Sequence, residues 1–290
     1  MIALFCHDDM DGQCSGAIAY RELGKQEGVN EIIIYCIDYG DKLPTFKPED
    51  NVKAVYIMDF SFEPEYMDYL ILLVGRDNVI WIDHHISAIR KLDTYKDLNG
   101  IRSIIMSGCA LTYRYFYPDK FVPMVVALVE DFDLYNYKYG DLTKGFQEWS
   151  NYNDTEPVGI IWDTLLTSNF DQLEELSQDG LRFREIRLWK LEKDIERLAY
   201  VDELDGHKCL KMNLTQEDSI SDAGDFVINK LEYDLFWAYS DIVINGKLQR
   251  TNQLRSHVID VSKLADKFGG GGHERAAGFL SDIGERNGEC

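Results

Sequence analysis

Histidine and aspartate side chains follow three apolar segments in the N-terminal half of the chain. The segments are Ile2–Phe5, Ala54–Met58 and Val79–Ile82, and the side chains that follow them are His7, Asp9, Asp11, Asp59, Asp83, His84 and His85. Short apolar runs are typical of buried strands, and the carboxyl ends of parallel strands meet at one edge of a sheet. Carboxylates gathered there repel one another and lose hydration unless a cation neutralises them. The spacing therefore predicts a metal site at this edge.

The predicted site holds more ligands than one metal ion needs, so we expect two divalent ions that share a carboxylate and a bridging water. Carboxylate and imidazole ligands without thiolate suit Mn²⁺ or Mg²⁺, with Co²⁺, Fe²⁺ or Zn²⁺ as alternatives, and Mn²⁺ is the ion we expect. Paired ions lower the pKa of the shared water to give a bridging hydroxide. The predicted chemistry is hydrolysis of a phosphoester or phosphoanhydride, with a second histidine placed to donate a proton to the leaving oxygen.

Strand and helix patterns alternate in this half of the chain, which predicts an α/β fold with a parallel sheet. The strand candidates are Ile2–Phe5, Ile32–Ile37, Ala54–Met58, Val79–Ile82 and Arg102–Ile105. The helix candidates are Cys14–Glu27, Glu63–Gly75, Gly108–Tyr117 and Val122–Glu130. A fourth acidic group, Glu130-Asp131-Phe132-Asp133, ends the last of these helices and is expected to join the site.

The second half of the chain predicts a long helix and then a smaller α/β unit. Asp171–Leu198 is charged with spaced apolar residues, as in an amphipathic helix that joins two domains. The strands predicted beyond it are His207–Leu214, Leu235–Val243 and Gln249–Leu254, with a hairpin turn near Asn245-Gly246, and the helices are Ile220–Lys230 and Val261–Phe268. We therefore expect a catalytic domain at 1–150, a helical linker at 151–200 and a second domain at 201–290.

Charge and composition limit the classes of partner. The chain has 290 residues, of which 45% are hydrophobic, and a formal net charge of −21. Long duplex nucleic acid is not expected, because its binding depends on Lys and Arg at the phosphates, whereas a small phosphorylated substrate fits. We expect no membrane span, no secretory signal and no membrane partner. The six cysteines form no Cys-x-x-Cys pair, which favours free thiols in the cytoplasm.

A glycine run near the C-terminus is typical of an anion site. Gly269–Gly272 allow backbone amides to approach an anion closely, and His273 and Arg275 supply further donors. Arginine suits bidentate phosphate binding. A glycine-rich stretch alone is more often a flexible linker, but the sequel His-x-Arg-Ala-Ala-Gly argues against that interpretation here.

Taken in order, these motifs resemble those of one protein superfamily. Asp83-His84-His85 after an apolar strand, with His7-x-Asp9-x-Asp11-Gly12 upstream and Asp59-x-Ser61 between them, is similar to the DHH phosphoesterase superfamily. The run Gly-Gly-Gly-Gly-His-x-Arg-Ala-Ala-Gly-Phe resembles the DHH-associated substrate-binding domain of the same proteins. The resemblance spans both halves of the chain. The compact spacing after His7 resembles the nanoRNase, or oligoribonuclease, branch.

The resemblance implies a role for each matching residue. His7 and Asp9 would bind one metal, Asp11 and His84 the other, and Asp59 would bridge them and act in catalysis. The implied set of metal ligands is His7, Asp9, Asp11, Asp59, His84 and Asp131. Asp131 is preferred from the fourth acidic group because it follows the apolar run Val125–Val129, and Asp133 is the alternative.

Other residues would serve the substrate. His85 would be catalytic and face the leaving group, and Asp83 would orient a histidine rather than bind metal. The implied substrate-binding residues are His85, Arg255, Gly270, Gly271, Gly272, His273 and Arg275. Aromatic residues between Tyr113 and Tyr139 could stack on nucleobases, but core packing is favoured.

The expected function is metal-dependent hydrolysis of phosphodiester bonds in short oligoribonucleotides or small nucleotides. Four alternatives stay open at this stage: a phosphatase for 3′-phosphoadenosine nucleotides, a cyclic-dinucleotide phosphodiesterase, a pyrophosphatase or polyphosphatase, and a non-catalytic nucleotide sensor. A complete set of metal ligands argues against the sensor, because a binding module does not need every ligand.

Overall fold

The computed structural model describes residues 1–29, 31–214, 217–244 and 246–283. The chain divides into two compact units, and the boundary between them falls between Arg184 and Glu185. That boundary lies within one long helix, so the first unit extends well beyond residue 150. No helix in the described ranges combines the length and the hydropathy that a bilayer span requires.

The first unit is built on a four-stranded parallel sheet with the strand order β2-β1-β3-β4. The strands are β1 (Ile2–His7), β2 (Ile32–Ile37), β3 (Ala54–Met58) and β4 (Val79–Ile82). Side chains alternate across β1, so that Phe5 and Leu4 enter different core clusters, and both are fully buried. Burial of both faces explains the continuous apolar runs of these strands and confirms the predicted α/β class and parallel sheet.

The predicted fifth strand, Arg102–Ile105, is wrong. This segment forms one isolated bridge, between Asp83 and Arg102. The Arg102 guanidinium donates to the backbone carbonyls of Trp81, Asn99, Lys96 and Leu98. Backbone hydrogen bonds at Asn99, Ile101 and Ser103 also hold the segment at the sheet edge, and the turn at 104–105 ends this pairing before a strand forms.

Helices cover both faces of the sheet. They are α1 (Met10–Leu23), α2 (Pro64–Val74), α3 (Ile86–Lys91), α4 (Gly108–Phe116), α5 (Met124–Asp133), α6 (Asp141–Ser150) and α7 (Ile161–Leu165). α1 begins four residues before the predicted start at Cys14, because the Asp9 side chain accepts a hydrogen bond from the Gly12 amide and caps the helix. α5 extends beyond the predicted end at Glu130, to Asp133.

The second unit contains a separate six-stranded mixed sheet with the order β5-β6-β7-β8-β10-β9. Its elements follow the long helix α8 (Phe170–Leu198): β5 (Tyr200–Leu204), β6 (His207–Asn213), α9 (Glu217–Lys230), β7 (Leu235–Ile244), β8 (Lys247–Arg255), α10 (Val261–Asp266), β9 (Gly271–His273) and β10 (Ala276–Asp282). The β7–β8 pairing is antiparallel, as the predicted hairpin requires, although Asn245 of its turn lies outside the described residues. The sequence patterns did not predict β5, β9 or β10.

Candidate metal centre

Three parallel strands of the first unit end at one edge of the sheet and bring polar side chains together. His7 ends β1, Asp59 directly follows β3, and His84 lies two residues beyond β4. Two helices add carboxylates, since Asp11 lies in the first turn of α1 and Asp133 is the last residue of α5.

His84 lies among three carboxylates. Its Nε2 atom is 3.1 Å from Asp59 Oδ1, and it is 3.6 Å from Asp133 Oδ2. The same atom is 3.9 Å from Asp11 Oδ2. One ligand atom from each of Asp11, His84 and Asp133 lies within 4.8 Å of the other two, a spacing that a single metal ion can bridge.

His7, Asp9 and Asp59 form a second group, in which one ligand atom from each residue lies within 4.8 Å of the other two. His7 Nδ1 is 2.7 Å from Asp9 Oδ2. Asp59 also belongs to a group with His84 and His85, so it stands next to both metal groups. This arrangement fits two cations that share the Asp59 carboxylate.

Buried atoms without partners support the fit of a metal. Both Asp59 oxygens are buried and have no hydrogen-bond partner among the described residues. His84 Nε2 and Asp133 Oδ2 are also buried without a hydrogen-bond partner among the described residues. His84 Nε2 lies 3.1 Å from Asp59 Oδ1, but this contact lacks hydrogen-bond geometry. A buried polar atom left unpaired costs about 1–3 kcal/mol. Coordination of divalent cations would satisfy all four atoms.

The charges of this group are not balanced by the protein. Burial raises the pKa of Asp59 well above its usual range, and the Asp11 and Asp9 carboxylates raise it further. Burial, Asp11 and Asp9 likewise raise the pKa of Asp133 to about 8. Burial lowers the pKa of His7, but the neighbouring Asp9 and Asp38 carboxylates outweigh burial and raise it to about 9. A divalent cation would relieve the repulsion between these carboxylates.

The backbone at Asp59 is held in a strained conformation beside a glycine. Asp59 has a φ of 55°, in the left-handed region that few non-glycine residues adopt. A Cβ atom at Gly108 would lie 2.6 Å from Asp59 Cγ, so only glycine fits there. Strain of this kind is often retained at functional sites, where neighbouring structure enforces it.

The first turn of α4 orients Asp11. The Gly108 and Cys109 amides donate to its two carboxylate oxygens, at 2.6 and 3.0 Å, and Ser107 Oγ donates at 2.8 Å. Amides at a helix N-terminus are suited to hold a carboxylate, so these donors fix the orientation of the Asp11 side chain. The sequence indicated Asp11 but not these donors, since it predicted Gly108 only as the start of a helix and gave no role to Ser107.

Asp83 is fully buried and orients His85. Its Oδ1 atom accepts hydrogen bonds from the His84 and His85 amides and lies 2.8 Å from His85 Nδ1. Ser61 donates to the other oxygen, and Trp81 Nε1 donates to Ser61 at 3.0 Å. These linked hydrogen bonds fix the orientation of the His85 ring, and the His85 side chain is one third exposed.

The structure separates the two candidates of the fourth acidic group. Asp131 turns away from the metal groups and accepts hydrogen bonds from the Lys138 and Tyr139 amides and the Thr143 hydroxyl. Asp133 points toward His84. The geometry therefore does not support the preference for Asp131, and Asp133 replaces it in the ligand set that we propose.

The two carboxylates are expected to respond differently to the same substitution. Asp133→Asn should weaken Mn²⁺ binding by about tenfold or more, because it removes a ligand charge. Asp131→Asn should leave Mn²⁺ affinity within about threefold but lower the free energy of unfolding by about 1–3 kcal/mol, because its hydrogen bonds close the turn after α5. Calorimetric Mn²⁺ titration and thermal unfolding of both variants measure this, and the opposite pattern would restore Asp131 as the ligand.

Two residues near the centre were missed in the sequence. Asp38 Oδ1 lies 3.4 Å from His7 Nε2, and Asp38 directly follows β2, so the strand-end pattern could have identified it. Tyr39 packs on the buried Phe60 with ring centroids 4.6 Å apart, and its ring lies 5.8 Å from that of His7. An exposed tyrosine in a loop gave no signal in the sequence.

The predicted substrate residues of the second unit do not all lie together. Arg255 and Gly270–Gly272 line one open cavity of about 590 Å³. Gly272 has a φ of 140°, and a Cβ atom there would lie 2.6 Å from Ala277 Cα of the paired strand β10. His273 and Arg275 are exposed at the β9–β10 turn and do not line the cavity.

Comparison with known proteins gives one curated relative. No family model matches the chain. The uncharacterized protein R106 of Acanthamoeba polyphaga mimivirus is 27% identical over 238 residues, which cover 78% of this chain and 53% of that protein. The chain thus spans about half the length of this relative.

Solved structures share the fold at low identity. The DHH domain of a member of the s1p family of ribosomal proteins has a TM-score of 0.62 at 16% identity and covers 98% of this chain and 83% of that one. The pGpG-specific phosphodiesterase PggH of Vibrio cholerae gives 0.51 at 12% identity, over 98% and 94% of the chains. The exonuclease RecJ bound to manganese gives 0.50 at 14% identity, over 97% and 86%. The fold predicted from the motifs is confirmed: the chain shares its fold with these structures, one of which is described as a DHH domain.

Proposed function

We propose that this chain is a divalent-metal-dependent phosphoesterase that hydrolyses phosphodiester bonds in short oligoribonucleotides or small nucleotides. The observation that carries the proposal is the pair of ligand groups, His7-Asp9-Asp59 and Asp11-His84-Asp133, with Asp59 beside both. Divalent ions bound there, Mn²⁺ by preference, would supply Lewis acidity and lower the pKa of a bound water.

The protein's own residues would then position the reacting groups. Asp83 holds Nδ1 of His85 and so leaves Nε2 to face the substrate, where it can donate a hydrogen bond to the leaving oxygen. The α4 amides fix Asp11, and Gly108 leaves room for the Asp59 side chain. Such fixed donors and ligands need no rearrangement during the reaction, which lowers the barrier.

Three observations support a short substrate. The net charge of −21 repels long polyanions. The cavity lined by Arg255 and Gly270–Gly272 offers a cation and close backbone approach, as a terminal phosphate or a nucleotide would require. Among proteins with this fold, PggH is described as specific for the dinucleotide pGpG.

Tyr39 provides a surface on which a substrate base can stack. One ring face packs on Phe60, and 58% of the residue is exposed beside the metal centre. Tyr39→Ala is expected to raise KM for an RNA dinucleotide by about tenfold, since a stacked base contributes about 1–3 kcal/mol, with a smaller change in kcat. Tyr39→Phe should retain the wild-type KM.

Phe121 is a matched control for Tyr39, because it is an exposed aromatic residue, 97% accessible, outside the metal groups. Steady-state kinetics of Phe121→Ala should match those of the wild type. If the wild-type enzyme hydrolyses the dinucleotide and Tyr39→Ala has the same KM, Tyr39 does not contact the substrate.

A hydrolysis panel with Mn²⁺ tests the proposed function. It contains a labelled RNA dinucleotide, an RNA pentanucleotide, a long single strand, 3′-phosphoadenosine 5′-phosphate, cyclic dinucleotides and pyrophosphate. We expect rapid release of mononucleotides from the short RNAs alone, and none from the Asp59→Asn variant. If only a different compound of the panel is hydrolysed, the proposed metal centre stands and that compound replaces short RNA as the proposed substrate. No turnover by metal-loaded protein would contradict the proposal and favour a sensor.

A further inference from the structure

A second cavity of the first unit, which we call the tyrosine pocket, lies away from the metal groups. It has a volume of about 280 Å³ and is lined by the ends of α1 and α4 and by residues after α7. Ile18, Pro123 and Leu166 form apolar walls, and Tyr113 and Tyr117 form an aromatic wall. The proposed hydrolysis uses none of these residues.

The aromatic wall is arranged for a flat ligand. Tyr113 and Tyr117 lie with ring centroids 4.8 Å apart and planes inclined by 38°. Both rings line the cavity with part of their surface accessible. Aromatic side chains that border an apolar cavity bind planar rings by stacking and by burial of apolar area.

One cation of the lining, Lys120, forms no close ion pair. Its Nζ atom lies 4.0 Å from the centroid of the Tyr117 ring, and among the described residues Glu22 acts on it electrostatically without a contact at ion-pair distance. The other cations of the lining are paired: Arg21 with Asp163 at 2.5 Å, and Lys25 with Glu22. Lys120 therefore leaves the pocket with an excess positive charge in a chain of net charge −21.

The walls of the pocket are preformed. The Arg21 guanidinium donates to the carbonyls of Pro157 and Gly159 at 2.9 and 2.7 Å and so fixes the segment before α7. Thr167, also in the lining, bonds back to the carbonyls of Asp163 and Thr164. A ligand would meet side chains that are already ordered, which reduces the entropic cost of binding.

We propose that the tyrosine pocket binds a small anion that carries a planar ring, with the ring on Tyr113 and Tyr117 and the anion at Lys120. Nucleoside monophosphates and small aromatic carboxylates share this chemistry. The pocket is distinct from the metal centre, because none of its lining residues belongs to a metal group and its first α1 residue, Ile18, lies nine positions beyond Asp9, about 14 Å along the helix. The inference does not depend on the proposed hydrolysis.

Calorimetric titration of the full chain in EDTA tests this proposal without binding at the metal centre. The ligands are AMP, benzoate, adenosine and inorganic phosphate. We expect one equivalent of benzoate to bind, and AMP to bind at the tyrosine pocket in addition to any binding at the Arg255 cavity. Binding of adenosine and of phosphate to the pocket should be about tenfold weaker, because each lacks one half of the recognised chemistry. Lys120→Ala should weaken the binding by about five- to tenfold, and Tyr117→Leu by about tenfold.

Two control variants locate the ligand. Lys144→Ala removes another lysine that lies over a tyrosine ring, 5.6 Å from Tyr137, outside the pocket, and should bind normally. Arg255→Ala removes the cation of the second unit's cavity, so it should retain benzoate binding and the equivalent of AMP that binds at the tyrosine pocket. Absence of binding by both AMP and benzoate at millimolar concentration would overturn the proposal. Binding that is lost in Arg255→Ala but unchanged in Lys120→Ala would overturn it as well.

Discussion

Asp59→Asn is expected to lower kcat/KM for RNA dinucleotide hydrolysis by at least about 1,000-fold. Loss of a residue that only supports a metal ligand costs about 10–100-fold, and Asp59 stands beside both ligand groups. Asparagine keeps the shape of the side chain and tolerates a φ of 55°, so the substitution removes the charge with little change in the backbone. Steady-state kinetics with saturating Mn²⁺ measure the loss.

Thermal unfolding provides the control for this variant. Asp59 is 1% exposed, and its oxygens have no hydrogen-bond partner among the described residues, so removing its charge relieves repulsion in the metal-free protein. The Tm in EDTA should equal or exceed that of the wild type, whereas the rise in Tm on adding Mn²⁺ should shrink. Turnover within tenfold of the wild type would refute the role of Asp59.

Gly108→Ala is expected to reduce kcat/KM by about 100-fold or more, although the residue carries no functional group. The added Cβ would lie 2.6 Å from Asp59 Cγ, which no van der Waals contact allows. Either the Asp59 side chain or the start of α4 must move, and the Gly108 amide bonds Asp11 at 2.6 Å. Both movements displace ligands, and a displacement of about 1 Å can cost 100-fold in rate.

Gly24→Ala is the matched control for Gly108→Ala. Gly24 caps the far end of α1 with a φ of −64°, and its added Cβ would lie 3.1 Å from the Tyr20 carbonyl. This variant should retain wild-type kcat/KM and Mn²⁺ affinity. A Gly108→Ala enzyme with both values within threefold of the wild type would show that Asp59 is not held as we describe.

Strand ends were the most predictable part of the site. A parallel strand buried on both faces is a continuous apolar run, so the residue after the run marks the edge where ligands meet. His7, Asp59 and His84 follow from this rule, and the structure brings them together. The same rule applied to β2 would also have identified Asp38.

Helix register was less predictable. Residues 131 and 133 differ by about 200° around a helix, so an error of two positions selects a carboxylate on the opposite face. The Thr143 hydroxyl that engages Asp131 comes from another helix, α6, and no local pattern reveals that contact. The choice between Asp131 and Asp133 therefore needed the tertiary structure.

Features that arise only from packing were not predictable either. Tyr39 is placed beside the metal groups by its contact with Phe60, 21 positions later in the chain. The predicted strand at Arg102–Ile105 failed because backbone pairing with the sheet edge ends at Ser103, where the chain turns at 104–105. The tyrosine pocket joins residues of α1, α4 and the segment after α7, which share no motif.

Metal stoichiometry tests the central claim most directly. Purified chain stripped with EDTA would be dialysed against Mn²⁺ and its bound metal counted, alongside Asp59→Asn and Asp131→Asn. Two Mn²⁺ ions per chain in the wild type and in Asp131→Asn, with a clear loss in Asp59→Asn, is the result that the shared-carboxylate centre predicts. One ion or none in the wild type, or two in Asp59→Asn with unchanged affinity, would contradict it.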